Sequence, residues 1–200
     1  MAKFTSEQMY NVPWVTTRYG KFNLNEPVFD IRDIAHALAQ ICRFNGQISK
    51  FYSVAQHSMT VGRLMEDYNL GDPLEGLLHD ATEAYLSDVP SPFKHMLPDW
   101  NAIDHRCEIA LRKQFSLGDK TDGCKTADWL ALYMEAHYFL RDAGAEFPDP
   151  HNLRKQALGI AKELPYWLHY HAAPKKPFEE VTADFLRLYD TWRNDWRPGT

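Results

Sequence analysis

Cysteine is scarce in this 200-residue chain, where Cys42, Cys107 and Cys124 are the full set. Three thiols, odd in number and without a CxxC spacing, read as free thiols in a reducing compartment rather than as a disulfide framework. An excess of positive charge is missing too. The net charge is -5 and the isoelectric point is near 6.0, which speaks against a dedicated nucleic-acid binder, whose surface is normally basic. No apolar run is long enough to span a bilayer, and the first stretch, MAKFTSEQMYNVPW, lacks the basic and apolar regions of a secretory leader. The sequence therefore points to a cytoplasmic protein without a membrane partner. Internal repeats, low-complexity segments and linkers are also absent.

What is present is enough apolar material for one domain with a sizeable core, at 44% hydrophobic residues. The expected fold is all-α with a small N-terminal β-hairpin, divided into a hairpin or cap over 1–30, a helical core over 31–140 and C-terminal helices over 141–200. Residues 14–22, WVTTRYGKF, are β-branched and aromatic around a Gly and predict the hairpin, with Trp14 and Phe22 packing on the helices. Asp30 caps a first helix, with Ile31, Ile34, Ala35, Leu38 and Ile41 on one face and a stop at Asn45-Gly46. Ser53 and Gln56 form a capping box for a second. Asp72-Pro73 starts a third that runs through Glu83, until Pro90 and Pro92 break it. Amphipathic helices follow over 99–115, with Ile109 among the apolar positions, and over 119–143. Two more stretches are predicted from Asn152 to His171, interrupted at Pro165, and from Phe178 to Trp196.

The segment that carries chemistry is LLHDATEAYLSDVPSPFK, residues 77–94. In a helix, Glu83 lies at i+4 from His79 and i+3 from Asp80, so the three side chains share a face. A His-Asp pair alone is common. It gains weight from His57 in SVAQHSMTVGRLM and Asp128 in KTADWLALYMEA, both in stretches of helical spacing. Three amphipathic helices would then bring two imidazoles and two carboxylates together, and charged groups on such faces need a partner, which a metal ion supplies. Arg43 and Phe44, at a helix end, could meet a nucleotide, although core packing is the simpler reading of Phe44. Asp88 and Lys94 lie in a proline-fixed loop beside the pair, and Lys125 stands one turn before Asp128. That spacing fits either an ion pair or a cation aimed at phosphate. Glu135 and His137 read as structural.

This H...HD...D pattern resembles the HD-domain phosphohydrolases. The runs CRFNGQISKFYSVAQHS, LLHDATEAYLSDVPSPFK and KTADWLALY are similar to their compact bacterial and phage branch, which contains 5'-deoxynucleotidases and dATP triphosphohydrolases; if the gene is a phage's, the location is the host cytoplasm. The resemblance spans about Ile31 to Tyr138. It implies an all-α HD-domain bundle in which His57, His79, Asp80 and Asp128 hold a divalent metal and Glu83 handles a proton through water. It further implies that Asp88 sits near the sugar or the attacking water, and that Arg43, Lys94 and Lys125 contact phosphate. Phe44 stands where the family often has a Trp on the nucleoside, and the shorter loop from Phe44 to His57 borders the base.

The mixed nitrogen and oxygen set admits Mn²⁺, Co²⁺, Zn²⁺, Fe²⁺ or Ni²⁺, suits Mg²⁺ less, and leaves room for a second ion on a polyphosphate. The leading expectation is hydrolysis of the 5' phosphate ester of deoxynucleotides, with dATP first among triphosphates. Activity on dNMPs, a phosphodiesterase of signalling nucleotides and a nucleotide-binding protein with a structural metal are the alternatives. Relatives of this type are commonly dimers or larger homo-oligomers, and the aromatic last helix would suit such an interface.

Overall fold

Ser53 opens the helix around which the others pack, its hydroxyl accepting a hydrogen bond from the Gln56 N–H while the Gln56 side-chain oxygen accepts one from the Ser53 N–H. In the computed structural model, which describes residues 13–140, 148–149, 151–163 and 176–195, this helix is the second. The hairpin is β1 (Trp14–Thr16) and β2 (Lys21–Asn23), antiparallel with Val15 opposite Phe22. The helices are α1 (Ile31–Leu38), α2 (Val54–Asp67), α3 (Pro73–Leu78), α4 (Glu83–Leu86), α5 (Ser91–Lys94), α6 (Pro98–Gln114), α7 (Asp122–Phe139), α8 (Arg154–Glu163) and α9 (Phe178–Asp195). The protein is thus mostly helical with a small N-terminal sheet.

Helix α2 is buried on nearly every side from Val54 to Met65, as a helix must be when it has apolar neighbours all round. One side belongs to a cluster in which Val54 and Met59 meet Ile34 and Leu38 of α1, Leu77 of α3 and Phe185 of α9. The other side, Val61, Leu64 and Met65, meets Ala127, Leu130 and Met134 of α7 and Ile160 of α8. Burying one Leu, Ile or Met side chain is worth about 1.5–3 kcal/mol. Both clusters therefore lean on the same helix.

Two close approaches set the helices around it. A Cβ on Gly76 of α3 would lie 2.9 Å from Gly62 Cα of α2, and one on Gly62 would lie 2.5 Å from the Trp192 ring. Side chains at either position would push α3 or α9 away. The second tie is Glu75, 3% exposed, which accepts from Arg112 Nη2 at 3.0 Å, Thr121 N–H at 2.9 Å and Thr121 Oγ1 at 2.7 Å. One buried carboxylate thereby joins α3, α6 and the start of α7.

Several expectations need correction. The first helix ends at Leu38 rather than at Phe44, because the following chain pairs with the lead-in to α2: Cys42 bridges Ser53, Arg43 N–H donates to Tyr52 O, and Val54 N–H donates to Ile41 O. Arg43–Gly46 then forms a 3₁₀ turn in which Phe44 and Asn45 take positive φ of 54° and 50°. The third helix breaks after Leu78, and 79–82 is a turn in which Ala81 N–H donates to Leu78 O, three residues back, with Glu83 N–H doing the same to Asp80 O. Ile109 is 57% exposed, on the solvent side of α6. Phe22 is buried, stacking on Tyr85 at 4.0 Å, but Trp14 faces outward under the Lys21 ammonium. The longest predicted helix starts at Asp122, where Thr121 caps it. Residues 164–171 and Trp196, the ends of the two last predicted stretches, lie outside the described residues.

Candidate metal centre

His57 follows the capping box by one position, in the first turn of α2, and is fully buried. Its imidazole is gripped from both edges by α7. Asp128 Oδ1 lies 3.1 Å from Nε2, and Glu135 Oε1 lies 2.7 Å from Nδ1. Asp128 and Glu135 are seven residues apart, two turns of one helix face. His79 caps the C-terminus of α3, and its Nδ1 lies 2.8 Å from Gly76 O. Asp80, next in the turn, places Oδ2 3.1 Å from His79 Nε2 and 3.7 Å from His57 Nε2.

These contacts determine the tautomers. A carbonyl can only accept, so His79 Nδ1 carries the proton. Glu135 is held ionised: burial works against its charge, but His57 and Arg43 outweigh it and lower its pKa. His57 Nδ1 is therefore the donor as well. In the neutral rings both Nε2 atoms are left with lone pairs, and among the described residues neither has a hydrogen-bond partner. Two lone pairs facing two carboxylates repel unless a cation sits between them. His57, His79 and Asp128 offer ligand atoms all within 4.8 Å of one another, a group that could hold a metal ion.

A proton is the other cation that answers this field. Burial and Arg43 push His57 towards neutrality, yet Glu135 and Asp128 prevail and lift its pKa to about 10. Asp80 and Asp128 shift the opposite way, since both histidines overcome the cost of burial and hold the two carboxyls below their usual range. The pocket is a cation trap.

Around it stand most of the other candidates. Glu83, 4% exposed, is pushed well above the usual carboxylate range by burial, with Asp80 and Asp88 adding and Lys94 and Arg43 only partly opposing. Lys94 donates to Glu83 Oε1 at 3.2 Å, and Glu83 Oε2 has no hydrogen-bond partner among the described residues. Burial also raises Asp88, against the pull of Arg43. Arg43 reaches Glu135 Oε2 through Nε at 3.3 Å and Nη2 at 3.2 Å, and its guanidinium lies 5.3 Å from the Phe44 ring centre. Lys125 is the candidate that the fold turns elsewhere: it donates to Asp122 at 2.9 Å on the exposed first turn of α7.

Two residues carry more here than their sequence positions announce. Glu135 holds His57 rather than merely packing, and its distance of seven from Asp128 is the signal that would have revealed it. Lys120 lies in the loop before α7; burial opposes its charge, but Glu108, Asp80 and Asp128 are among the groups that raise its pKa. A loop lysine before an N-cap carries no sequence signal of that kind. Among the described residues, no helix is long and apolar enough to cross a membrane.

No family model matches the chain. It is 37% identical over 131 residues to the uncharacterized protein YfdR of Escherichia coli strain K12, covering 65% of this chain and 71% of that protein. It is 33% identical over 149 residues to the uncharacterized protein RCAP_rcc00048 of Rhodobacter capsulatus, covering 66% of this chain and 76% of that one.

Proposed function

We propose that this chain, which belongs to one family with YfdR and RCAP_rcc00048, is a metal-dependent phosphohydrolase of the HD type that cleaves the 5' phosphate ester of deoxynucleotides. The observation that carries the reading is the pair of histidine Nε2 atoms, without hydrogen-bond partners among the described residues, that face Asp80 and Asp128. His57, His79, Asp80 and Asp128 would hold one divalent ion, of which Mn²⁺, Co²⁺, Zn²⁺, Fe²⁺ and Ni²⁺ suit the set better than Mg²⁺. Such an ion, when bound, lowers the pKa of water from about 15.7 towards about 7 and offsets phosphoryl charge.

The residues around the ion have separable tasks. Arg43 and Lys94 supply positive charge for phosphate oxygens, and Lys120 lies within reach of the same field. A water oxygen bonds to phosphorus as the bond from phosphorus to the 5' oxygen breaks, and the departing 5' oxygen takes up a proton. Glu83, whose burial favours the protonated carboxyl, is the donor, and proton transfer of this kind is worth about 10²- to 10⁴-fold in rate. Asp88 sits beside it and would orient the sugar or the water. Phe44, in its left-handed turn next to Arg43, would flank the nucleoside.

A triphosphate is the leading substrate, dATP first, because three cations exceed what one phosphate needs. A second reading, hydrolysis of dNMPs, is favoured by one observation: Lys125, counted for the polyphosphate on sequence grounds, pairs with Asp122 instead. The test is product analysis after incubation with each dNMP and dNTP in Mn²⁺ and Co²⁺, with Glu83→Ala in parallel. Deoxynucleoside released by the wild type and not by the variant is the expected result; no turnover of any nucleotide would sink the proposal.

A further inference from the structure

We infer that Glu135 is a positioning residue that couples the metal ligand His57 to the phosphate-binding cation Arg43, so that one carboxylate aligns both. The inference rests on the metal-site reading above and adds to it a residue that touches neither metal nor substrate.

Glu135 is fully buried in the middle of α7 and divides its two oxygens between two partners. Oε1 takes the His57 Nδ1–H at 2.7 Å. Oε2 takes Arg43 Nε–H at 3.3 Å and Nη2–H at 3.2 Å. On the His57 side, fixing the proton on Nδ1 directs the lone pair of Nε2 to Asp80, Asp128 and the space between them. On the Arg43 side, the carboxylate pins one edge of the guanidinium and leaves its remaining N–H groups for a ligand. That pin also adjoins a turn in which the two residues after Arg43 occupy the left-handed region, which Asn enters readily and Phe rarely.

The division of labour makes the role separable from packing. Glu135→Gln keeps the shape but has one acceptor oxygen and one amide donor. If the oxygen serves His57, the amide faces the Arg43 guanidinium, donor to donor; turned over, it faces the Nδ1–H. The same substitution must therefore damage either metal ligation or the aim of Arg43, and in a population of rotamers both. Arg43→Gln, by contrast, removes a cation near the ion and leaves Glu135 on His57.

The experiment is calorimetric titration of the metal-stripped full chain with Zn²⁺, followed by titration of the Zn²⁺-saturated protein with inorganic phosphate. Glu135→Gln should lose about 10- to 100-fold in Zn²⁺ affinity, the usual cost of removing the partner of a metal-bound histidine, and should weaken phosphate binding as well. Arg43→Gln should weaken phosphate binding alone. In Glu135→Gln, adding Arg43→Gln should then cost less than it does in the wild type, since Arg43 is already released. Zn²⁺ and phosphate affinities that are both unchanged in a folded Glu135→Gln protein, beside a wild type that binds Zn²⁺, overturn the inference. A wild type that binds no metal overturns the reading beneath it. Should the variant not fold, the wild type answers by nitrogen-resolved NMR of labelled histidine. A His57 Nδ1–H resonance that persists in the Zn²⁺ form is the expected result, and a proton on Nε2 instead would overturn the inference.

Discussion

His57 stands on a helix of 14 residues and is held at Nδ1 by Glu135 and faced at Nε2 by Asp128, both from a helix of 18. Glu83 opens a helix of 4 residues and is met on one oxygen by Lys94, itself at the end of another helix of 4. The first wall of the site is built from long elements with both clusters behind it. The second hangs on short turns, with Ser87 at φ 71° between them. On the proposed function, the candidate ligands His57 and Asp128 are placed where the backbone cannot give. Glu83 and Lys94 are placed where it can, and Lys94 would then have two claims on it, Glu83 and an incoming phosphate.

The sharpest test of this contrast removes the proton donor of the second wall. Glu83→Gln is expected to lower kcat by about 10²- to 10⁴-fold with metal affinity unchanged, measured by steady-state kinetics beside calorimetry. Loss of the metal as well would show that the two walls are one unit. Next comes Lys94→Met, expected to reduce kcat/KM by roughly 10- to 100-fold, the worth of a charge-assisted hydrogen bond of about 1.5–3 kcal/mol. It should also move the pH profile. Lys94 lowers the pKa of Glu83, so its removal raises that pKa further. Glu83 then keeps its proton to higher pH, and the basic limb of the rate profile shifts upward; a downward shift would contradict its role as donor.

Gly76→Ala strikes the first wall from behind. The added Cβ meets Gly62 of α2, and overpacking of this kind costs about 1–3 kcal/mol, readable in urea unfolding. Because the Gly76 carbonyl holds His79 Nδ1, metal affinity should fall with stability, whereas kcat of the metal-saturated protein should change little. The smallest effect is expected at Lys125, whose exposed pair with Asp122 belongs to neither wall. Lys125→Ala should leave kcat/KM and metal affinity unchanged, and a clear loss in kcat/KM would return it to the phosphate site.

The group of His57, His79 and Asp128, which could hold a metal ion, was legible because each member sits in a periodic pattern, and α2 kept its predicted start to the residue. Its legibility failed where tertiary pairing overrides local preference. Residues Ile41 to Phe44 continue a helical apolar pattern, but the Ile41 carbonyl and the Arg43 N–H bond to Val54 and Tyr52 instead. The turn over 79–82 still brought His79 and Asp80 together, since a tight helical turn and an α-helix differ little over four residues. Glu135, read as structural, is buried, but its grip on His57 and Arg43 was not legible, since only its place two turns beyond Asp128 marks it. Lys120 had no mark at all.

Helix α2 is the common wall of both apolar clusters, and this has a consequence for hydrogen exchange. Opening the α7–α8 side alone leaves Met59 covered by the other cluster, and opening the α1–α9 side alone leaves Leu64 covered. Amides along the middle of α2 should therefore exchange only through global unfolding. A metal ion that binds beside His57 stabilises the native state by about 2.7 kcal/mol at a concentration one hundred times its Kd. The slowest amides of α2 should report that full amount, which makes a single helix a gauge of metal occupancy for the whole molecule.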